Sequence, residues 1–435
     1  MKSKNRWAFI TLTMMTAIVT GCNLNDNFEE PAPKPAPVDP GNAKPLILSP
    51  DEGEMVNQSN AFAFKLYKQI IDSRSNDEDL RNKSLIISPI SITYALGMLN
   101  NGAAGNTQAE INKVLGFGDT GAAGINDFCK KMLDSIPLLD SLTKVMISNN
   151  IYVNKQYVLK PEFTEAANKY YNAYPETRDF YDGQTLDVIN KWASDHTEKM
   201  IDKILDENSF NPEAVSYLLN AIYFKGMWTS KFDKKYTDKG EFYHAGNSKE
   251  QTIRDMMHQT ADFSFAENDD YQFLCLPYGN RAFNMKIFLP KVKEAETINA
   301  LPAVPSIETW QSLNSAMRKV EVELVLPRIE TDTDIDLPEI MSALGMPDAF
   351  DSDKADFSGF CNKDTFIGLM KQVAKIKLDE EGTEAAAVTV IGMNYTAFTP
   401  QEKWRVQFNA NHPFFYVISE SSTGAILFMG QYTGY

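Results

Sequence analysis

The sequence of 435 residues is poor in the side chains that enzymes most often use for catalysis and metal binding. It contains four histidines and four cysteines, and it has no HExxH, GxSxG or Walker phosphate-binding motif. Cys129, Cys275 and Cys361 lack CxxC spacing, which argues against a disulfide framework and a zinc site. A dispersed Ser–His–Asp triad stays open, because its members need not be adjacent in sequence. The sequence thus gives no positive sign of an enzyme, a metal or a cofactor.

One acidic run is similar to the start of a calcium-binding loop. Asp332–Asp336 reads DTDID, with an acid at every second place. However, Leu337 stands where the loop needs glycine, and Ala343 stands where it needs a bidentate glutamate. We therefore predict no metal site and expect Asp336 and Glu339 to cap a helix over LPEIMSALG.

Positive charge is also scarce. The chain has 42 Lys and Arg against 58 Asp and Glu, a net charge of −16. Such an acidic balance argues against nucleic acid, polyanions and anionic membrane surfaces as partners.

The N-terminus has the pattern of an export signal. Lys2, Lys4 and Arg6 precede a short apolar stretch that ends in VTGC at Cys22. This mostly apolar stretch, Trp7–Thr20, has fourteen residues, too few for a membrane-spanning helix, which needs about 20. We interpret residues 1–21 as a signal peptide and VTGC as a lipobox-like site, with Cys22 as the lipidated residue of a bacterial lipoprotein. The alternative is an ordinary secretory signal with an incidental cysteine.

A polar, proline-rich stretch follows, including EEPAPKPAPVDPGNAKP. Proline favours extended geometry, so we interpret residues 22–56 as a tether to a membrane. Asn23 after the cysteine favours the outer membrane, with the body either periplasmic or surface-exposed. Residues 57–435 show no second linker or repeat and are predicted to form one domain. Its first half is mainly helical in pattern and its second half mainly strands, which indicates an α+β fold with a large sheet.

A run near the C-terminus fits neither a good core nor a membrane segment. The eighteen residues from Ala385 to Glu402 are uncharged until that last glutamate, and they are rich in small and polar side chains. The run begins within EEGTEAAAVT, residues 380–389. On an extended strand, Thr383, Ala385, Ala387 and Thr389 share one face, and all four are small and uncharged.

These residues resemble the hinge of inhibitory serpins, the serine protease inhibitors, and the resemblance covers the chain from about residue 57 to the end. Four further collinear segments are similar to family motifs: SLIISPISITYALGMLNNGAAGNTQAEI, LLNAIYFKGMWTSKFD, LPRIETDTDIDLPEIMSALGMPDAFDSDKADFSG and FNANHPFFYVISESSTGAILFMG. The resemblance implies the serpin fold: a large central mixed sheet, further sheets, helices mainly from the first half, and an exposed reactive-centre loop at about 381–404.

The resemblance also implies roles for particular residues. The hinge is assigned to residues 380–387, namely Glu380, Glu381, Gly382, Thr383, Glu384, Ala385, Ala386 and Ala387. The shutter, beneath two central strands that must part, is assigned to Ser88, Ser91, Asn220 and Gln372. Gln372 stands where the family usually has histidine. The breach, where the loop enters the sheet, is assigned to Trp228, Arg328 and Glu380. Before cleavage we expect the Thr383 side chain to lie close to the surface.

By the same resemblance, we expect a monomeric inhibitor, not an enzyme, that traps serine or cysteine proteases when its cleaved loop inserts into the sheet. The usual spacing places the scissile bond at Thr396–Ala397, within a range from Tyr395 to Thr399. No Arg or Lys occurs between Glu384 and Lys403, which favours elastase-, subtilisin- or chymotrypsin-like targets over trypsin-like ones. The alternative is a non-inhibitory serpin that acts as a binding or chaperone-like module.

Overall fold

The computed structural model describes residues 43–117, 121–246, 251–292, 297–383 and 405–435. All of them fall in the compact unit Asp39–Tyr435. Cys22, Glu384–Ala387, Thr396 and Ala397 lie outside the described residues. Within the described ranges, no helix is both long and apolar enough to cross a membrane.

Most of the helix is found in the first half of the chain, as the sequence predicts. The described helices are α1 Pro50–Arg74, α2 Pro89–Asn100, α3 Gly105–Leu115, α4 Gly121–Ser135, α5 Pro161–Tyr171, α6 Gln184–His196, α7 Ile307–Ala316 and α8 Pro338–Leu344.

The strands of the described residues form two sheets. They are β1 Leu85–Ile87, β2 Thr143–Asn154, β3 Glu176–Arg178, β4 Ser216–Met227, β5 Thr237–Tyr243, β6 Gln251–Glu267, β7 Tyr271–Tyr278, β8 Phe283–Pro290, β9 Arg318–Pro327, β10 Ile329–Asp336, β11 Lys371–Leu378, β12 Gly382–Thr383, β13 Arg405–Asn409, β14 Phe414–Glu420 and β15 Ile426–Tyr432. One sheet has nine strands, with β5 on β6 and the order β1-β15-β14-β8-β7-β6-β9-β13. The other has six, in the order β10-β11-β12-β4-β2-β3. The α+β prediction is confirmed.

The first helix begins earlier than the boundary that the sequence suggested. The Ser49 side chain accepts a hydrogen bond from Glu52 N, and the Glu52 carboxylate accepts one from Ser49 N, which is a capping box at the start of α1. Met55 and Val56, which the sequence analysis assigned to the tether, are buried in this helix. The described chain upstream also contacts the body, because Leu46 N donates to Ser422 Oγ.

The acidic run is a strand rather than the lead-in to a helix cap. In β10 the residues alternate, with Thr331, Thr333 and Ile335 buried and the intervening acids exposed. The prediction that Asp336 caps α8 is wrong: the N-cap position is Leu337, whose side chain forms no capping hydrogen bond. The alternation of acids was therefore the period of a half-buried strand.

The main core contains buried side chains from the helices of the first half and from both sheets, and Phe224 of β4 packs on Phe428 of β15. Phe64 and Tyr67 of α1 pack on Phe415 of β14, with ring centroids 6.5 and 5.0 Å apart. The two-residue strand β12 belongs to the six-stranded sheet. It forms the centre of the candidate site.

Candidate functional site: hinge, breach and shutter

The described end of the segment assigned to the hinge forms a two-residue strand, β12, in the six-stranded sheet. β12 lies between β11 and β4 and runs antiparallel to both, with Thr383 opposite Leu378 and Gly226, and Gly382 opposite Met227. A tight turn precedes it, since Asp379 N donates to Gly382 O (2.8 Å) and Gly382 N donates to Asp379 O (3.2 Å). The chain thus leaves β11, reverses at Glu380–Glu381 and returns into the same sheet.

Gly382 occupies a position that only glycine fits. Its φ of +148° lies in the region that L side chains rarely adopt, and an added Cβ would lie 2.0 Å from the carbonyl oxygen of Gly226. The close approach of the two backbones is what allows β12 to pair with β4.

Thr383 is deeply buried, and the expectation that its side chain lies near the surface is wrong. It is 1% exposed, and its hydroxyl lies 2.8 Å from the Tyr278 hydroxyl, with which it shares a hydrogen bond. Tyr278 in turn stacks on Trp228, with ring centroids 4.5 Å apart. The side chain is inside because the backbone turn at 379–382 brings β12 between two strands instead of leaving it above them.

Trp228 holds the turn through its backbone and its indole. Trp228 N donates to Glu381 O (2.8 Å), and Trp228 Nε1 donates to Asp379 O (3.0 Å). Phe232 N donates to Glu380 O (3.0 Å). The segment after β4 therefore donates hydrogen bonds to the carbonyl oxygens of three successive turn residues. These bonds fix the position of the turn at the start of the hinge.

The Glu380 carboxylate is buried and paired with Arg328. Arg328 donates from Nε and Nη2, the latter 2.7 Å from Glu380 Oε1, and Thr237 Oγ1 donates to the same oxygen (2.6 Å). Burial alone would raise the pKa of Glu380, but the bonds from Arg328 and Thr237 outweigh it and hold the pKa below its usual value. The structure thus places all three assigned breach residues together.

A second ion pair at the turn was not found from the sequence. Lys231 Nζ lies 2.6 Å from Glu381 Oε2, and both side chains are 18% exposed. No periodic pattern links these residues across 150 positions of chain; only the turn geometry brings them together.

Replacing Glu380 by Gln should destabilise the fold by about 2 kcal/mol at neutral pH, because the charged hydrogen bonds to Arg328 are lost. The folded pKa of Glu380 is lowered, so this stabilisation is present in full above about pH 5 and is lost as the pH falls from the unfolded pKa of about 4.3 through the folded value. Urea unfolding of the two proteins should therefore differ at about pH 7, and the difference should shrink progressively as the pH falls below about 4. Glu330→Gln is the control: Glu330 is 60% exposed, with Lys375 3.5 Å away, and its loss should cost under about 0.5 kcal/mol. If the difference in unfolding free energy between the parent protein and Glu380→Gln does not change with pH, the charged hydrogen bonds to Arg328 are not its source.

The shutter is a buried hydrogen-bond cluster centred on Gln372. Its Nε2 donates to Ser88 O and to Ser91 Oγ (both 2.9 Å), and its Oε1 accepts from Ser88 N (3.0 Å). Ser88 Oγ donates to Leu427 O (2.8 Å), which joins the cluster to the nine-stranded sheet. The glutamine amide thus uses both its donor and its acceptor to tie β11 to the start of α2.

Asn220 does not join that cluster in this structure. Its Nδ2 donates to Asn149 Oδ1 of β2 (2.8 Å), whereas Asn220 Oδ1, although buried, has no hydrogen-bond partner among the described residues. Another buried side chain that sequence analysis did not assign is Thr333 of β10, whose Oγ1 accepts a hydrogen bond from Ile86 N (2.9 Å). The sequence feature that could have identified Thr333 was the Thr/Asp alternation of β10, which we had interpreted as the lead-in to a helix cap.

The chain belongs to the serpin family. The sequence pattern of that family, described as Serpin (serine protease inhibitor), matches residues 57–434, and the two sheets with an intruding hinge agree with it. The chain is 30% identical over 385 residues to Serpin B6 of Macaca fascicularis, covering 87% of this chain and 99% of that protein.

Solved structures give the same result. The native thermophilic serpin tengpin superposes with a TM-score of 0.77 and 26% identity, covering 91% of this chain and 97% of tengpin. A thyroxine-binding globulin complex with thyroxine superposes with a TM-score of 0.75 at 24% identity, covering 88% and 99%, and supports the fold alone.

Proposed function

We propose that the protein is a suicide inhibitor of serine proteases, which it traps by inserting its cleaved loop into the six-stranded sheet. The observation that carries this proposal is the position of β12: the hinge already occupies the first two places of a strand between β4 and β11.

The strands on either side of β12 are arranged to accept a longer strand. β4 and β11 run parallel and, among the described residues, share a single bridge, Leu218–Met370, at the end far from the hinge. A strand continuing from β12 would be antiparallel to both neighbours, and antiparallel pairing is the more stable kind. Each inserted residue would form up to two ladder bonds of about 0.5–1.5 kcal/mol, against about 1–2 kcal/mol of ordering. Because these sums overlap, side-chain fit decides whether insertion is favourable.

The observed register supports a good fit. Two residues on from Thr383, position 385 falls opposite Phe224 and Ile376, which are two residues before Gly226 and Leu378 and are both buried. An alanine there is small and apolar. Counted in the same way, Glu384 falls opposite Lys225 and Lys377 on the other face of the sheet. The negative glutamate would lie beside two positive lysines, and cross-strand pairs of opposite charge are favourable.

Six residues on from Thr383, Thr389 falls opposite both Asn220 and Gln372. Asn220 Oδ1 is buried without a partner among the described residues, so a threonine hydroxyl arriving beside it would supply the missing donor. We infer that the shutter is completed by the inserted loop, which is consistent with Asn220 standing apart from Ser88 and Gln372 before insertion.

The reach of the loop agrees with trapping. From Gly382 to Thr396 there are fourteen residue steps, or about 46 Å of extended strand. A protease acylated at Thr396–Ala397, or at a bond between Tyr395 and Thr399, would be carried over roughly the length of the sheet. The absence of Arg and Lys between Glu384 and Lys403 supports elastase-, subtilisin- or chymotrypsin-like serine proteases, or cysteine proteases with similar preferences.

Incubation with a panel of these proteases should give covalent one-to-one complexes that survive denaturing electrophoresis. Mass measurement of the released C-terminal fragment should place the cut between Tyr395 and Thr399. Cleavage by every protease without a complex would contradict inhibition and favour a non-inhibitory binding or chaperone-like function, since thyroxine-binding globulin, of the same fold, was solved with thyroxine. Trapping of trypsin alone would contradict the proposed target class.

We propose further that the monomeric body is exported and lipid-anchored to a bacterial outer membrane through Cys22. The basic start, the short apolar stretch and VTGC support this. A Cys22→Ala variant should be released in soluble form or retained uncleaved, and its body should unfold at the same urea concentration as the parent protein. A native protein whose mature N-terminus is not residue 22, or which carries no lipid by mass spectrometry, would contradict the proposal.

A further inference from the structure

The hinge turn rests in the segment that joins β4 to β5, residues 228–236, which we call the cradle. Two lysines of the cradle face Glu381: Lys231 Nζ lies 2.6 Å from Glu381 Oε2, and Lys234 Nζ lies 3.6 Å from Glu381 Oε1. The Lys231 and Glu381 side chains are both 18% exposed, whereas that of Lys234 is 63% exposed. Water and salt weaken an exposed ion pair, so Lys231 is the partner that holds Glu381.

A glutamine of β6 holds the cradle in place. Gln259 Nε2 donates to Lys231 O (2.8 Å), and it is shared between Ser230 O (3.2 Å) and Ser230 Oγ (3.1 Å). Next to this clamp, Thr229 N donates to Pro277 O of β7 (2.9 Å). The cradle is thus fastened to two strands of the nine-stranded sheet, and from it Lys231 reaches a turn of the six-stranded sheet. Gln259 fixes the main chain from which the lysine extends.

The place of Glu381 in the chain makes this contact important for β12. Glu381 immediately precedes β12, which has only two residues, Gly382 and Thr383. So short a strand forms few ladder bonds, while ordering its backbone has a cost for each residue. Contacts of the preceding turn must therefore help to keep it between β4 and β11. The bond from Lys231 is charge-assisted, and such hydrogen bonds are roughly twice as strong as neutral ones.

We propose that Lys231 is a positioning residue for loop insertion and that Gln259 acts through it. The pair with Glu381 holds the turn closed, so that β12 stays in the sheet and can lengthen as soon as the loop is cut. Without the pair, β12 leaves the sheet for a larger fraction of the time, and insertion loses to hydrolysis of the acyl-enzyme. The consequence for trapping rests on the proposed function, whereas the closing of the turn can be measured without any protease.

Hydrogen exchange of the full-length protein with its loop intact tests the turn directly. The backbone amides of Trp228, Phe232 and Gly382 donate to carbonyl oxygens of the turn, so their exchange reports its opening. In Lys231→Met these amides should exchange at least about tenfold faster, because a charge-assisted hydrogen bond is lost. Glu381→Gln removes the other partner and should give a similar acceleration, which keeps the test valid if Lys231→Met folds poorly.

Two lysine variants and one clamp variant serve as comparisons. Lys231→Arg keeps the charge and should keep most of the protection. Lys235→Met lies in the same cradle, but its ion pair with Asp233 is exposed, at 64% and 51%, and its loss should leave the exchange unchanged. Gln259→Leu should accelerate exchange in the parent protein and have a smaller effect in the Lys231→Met background, as for residues that act in series.

Protease trapping supplies the functional measurement. With a protease that the parent protein traps, the share of cut Lys231→Met that ends as covalent complex should fall at least about threefold, and Lys231→Arg should trap as the parent does. Unchanged exchange in both Lys231→Met and Glu381→Gln, full additivity with Gln259→Leu, or faster exchange with undiminished trapping would each overturn the proposal. A parent protein that traps no protease, with exchange as expected, would contradict the proposed function and leave Lys231 as the residue that holds the turn.

Discussion

Ala385→Arg is expected to convert the protein from an inhibitor into a substrate of the same protease. In the register set by β12, position 385 falls between Phe224 and Ile376, and both of these side chains are buried. Insertion would then bury an unpaired guanidinium, which costs several kcal/mol. Each ~1.4 kcal/mol added to the insertion barrier slows insertion about tenfold, while hydrolysis of the acyl-enzyme continues unchanged. The stable complex on denaturing gels should therefore fall at least about tenfold, with the loop cut at the same bond.

Glu384→Arg is the matched control, one residue away on the opposite face. Position 384 falls opposite Lys225 and Lys377, of which Lys377 is exposed. Repulsion among exposed like charges should cost under about 1 kcal/mol. This variant should therefore still trap protease far better than Ala385→Arg. Equal trapping by the two arginine variants would show that the strand does not continue in the register of β12.

Gln372→Leu is expected to lower the free energy of unfolding by about 2–5 kcal/mol, the second-largest effect. Leucine keeps most of the volume, but Ser88 N, Ser88 O and Ser91 Oγ lose their bonds to the amide. Ser88 N is left without a partner, which costs about 1–3 kcal/mol. Ser88 O still accepts from Ser91 Oγ and Ile92 N, so the two other lost bonds cost about 0.5–1.5 kcal/mol each. The measurement is the midpoint and slope of urea unfolding.

Gln407→Leu supplies the comparison, since Gln407 is exposed on β13 and should change stability by less than about 0.5 kcal/mol. A double-mutant cycle of Gln372→Leu with Ser91→Ala should show coupling of about 0.5–3 kcal/mol, as for residues in one network. Strict additivity of the two changes, or a loss for Gln372→Leu no larger than for Gln407→Leu, would contradict the shutter cluster.

The sequence was sufficient to predict features that depend on local pattern. The small, uncharged residues at alternate positions of the hinge indicated a segment able to join a sheet, and the helical first half with a strand-rich second half indicated α+β. The α+β prediction is confirmed because side-chain period and composition are properties of the strand or helix itself. The hinge prediction stays a prediction beyond Thr383, since Ala385, Ala387 and Thr389 lie outside the described residues. The same logic misled at Asp332–Asp336, where the acids of a half-buried strand were interpreted as the lead-in to a helix cap.

Features that depend on three-dimensional placement were beyond the sequence. The burial of Thr383 follows from a turn at 379–382 held by Trp228, and no local pattern specifies how far a loop enters a sheet. The Lys231–Glu381 pair and the separation of Asn220 from Gln372 likewise depend on which strands are neighbours in the folded sheet. Family resemblance supplied the residues, but the contacts came only from the structure.

The closed turn at Asp379–Gly382 also bears on how quickly the sheet can grow. Forming a new hairpin takes about 1–10 μs and requires the chain to reverse before any ladder bond forms. Here the reversal is complete and the first antiparallel pairs, Thr383 with Leu378 and Gly226, exist before any protease arrives. After cleavage, the loop would therefore have no nucleation step to complete: its strand would lengthen residue by residue from a preformed end, and only propagation would compete with deacylation.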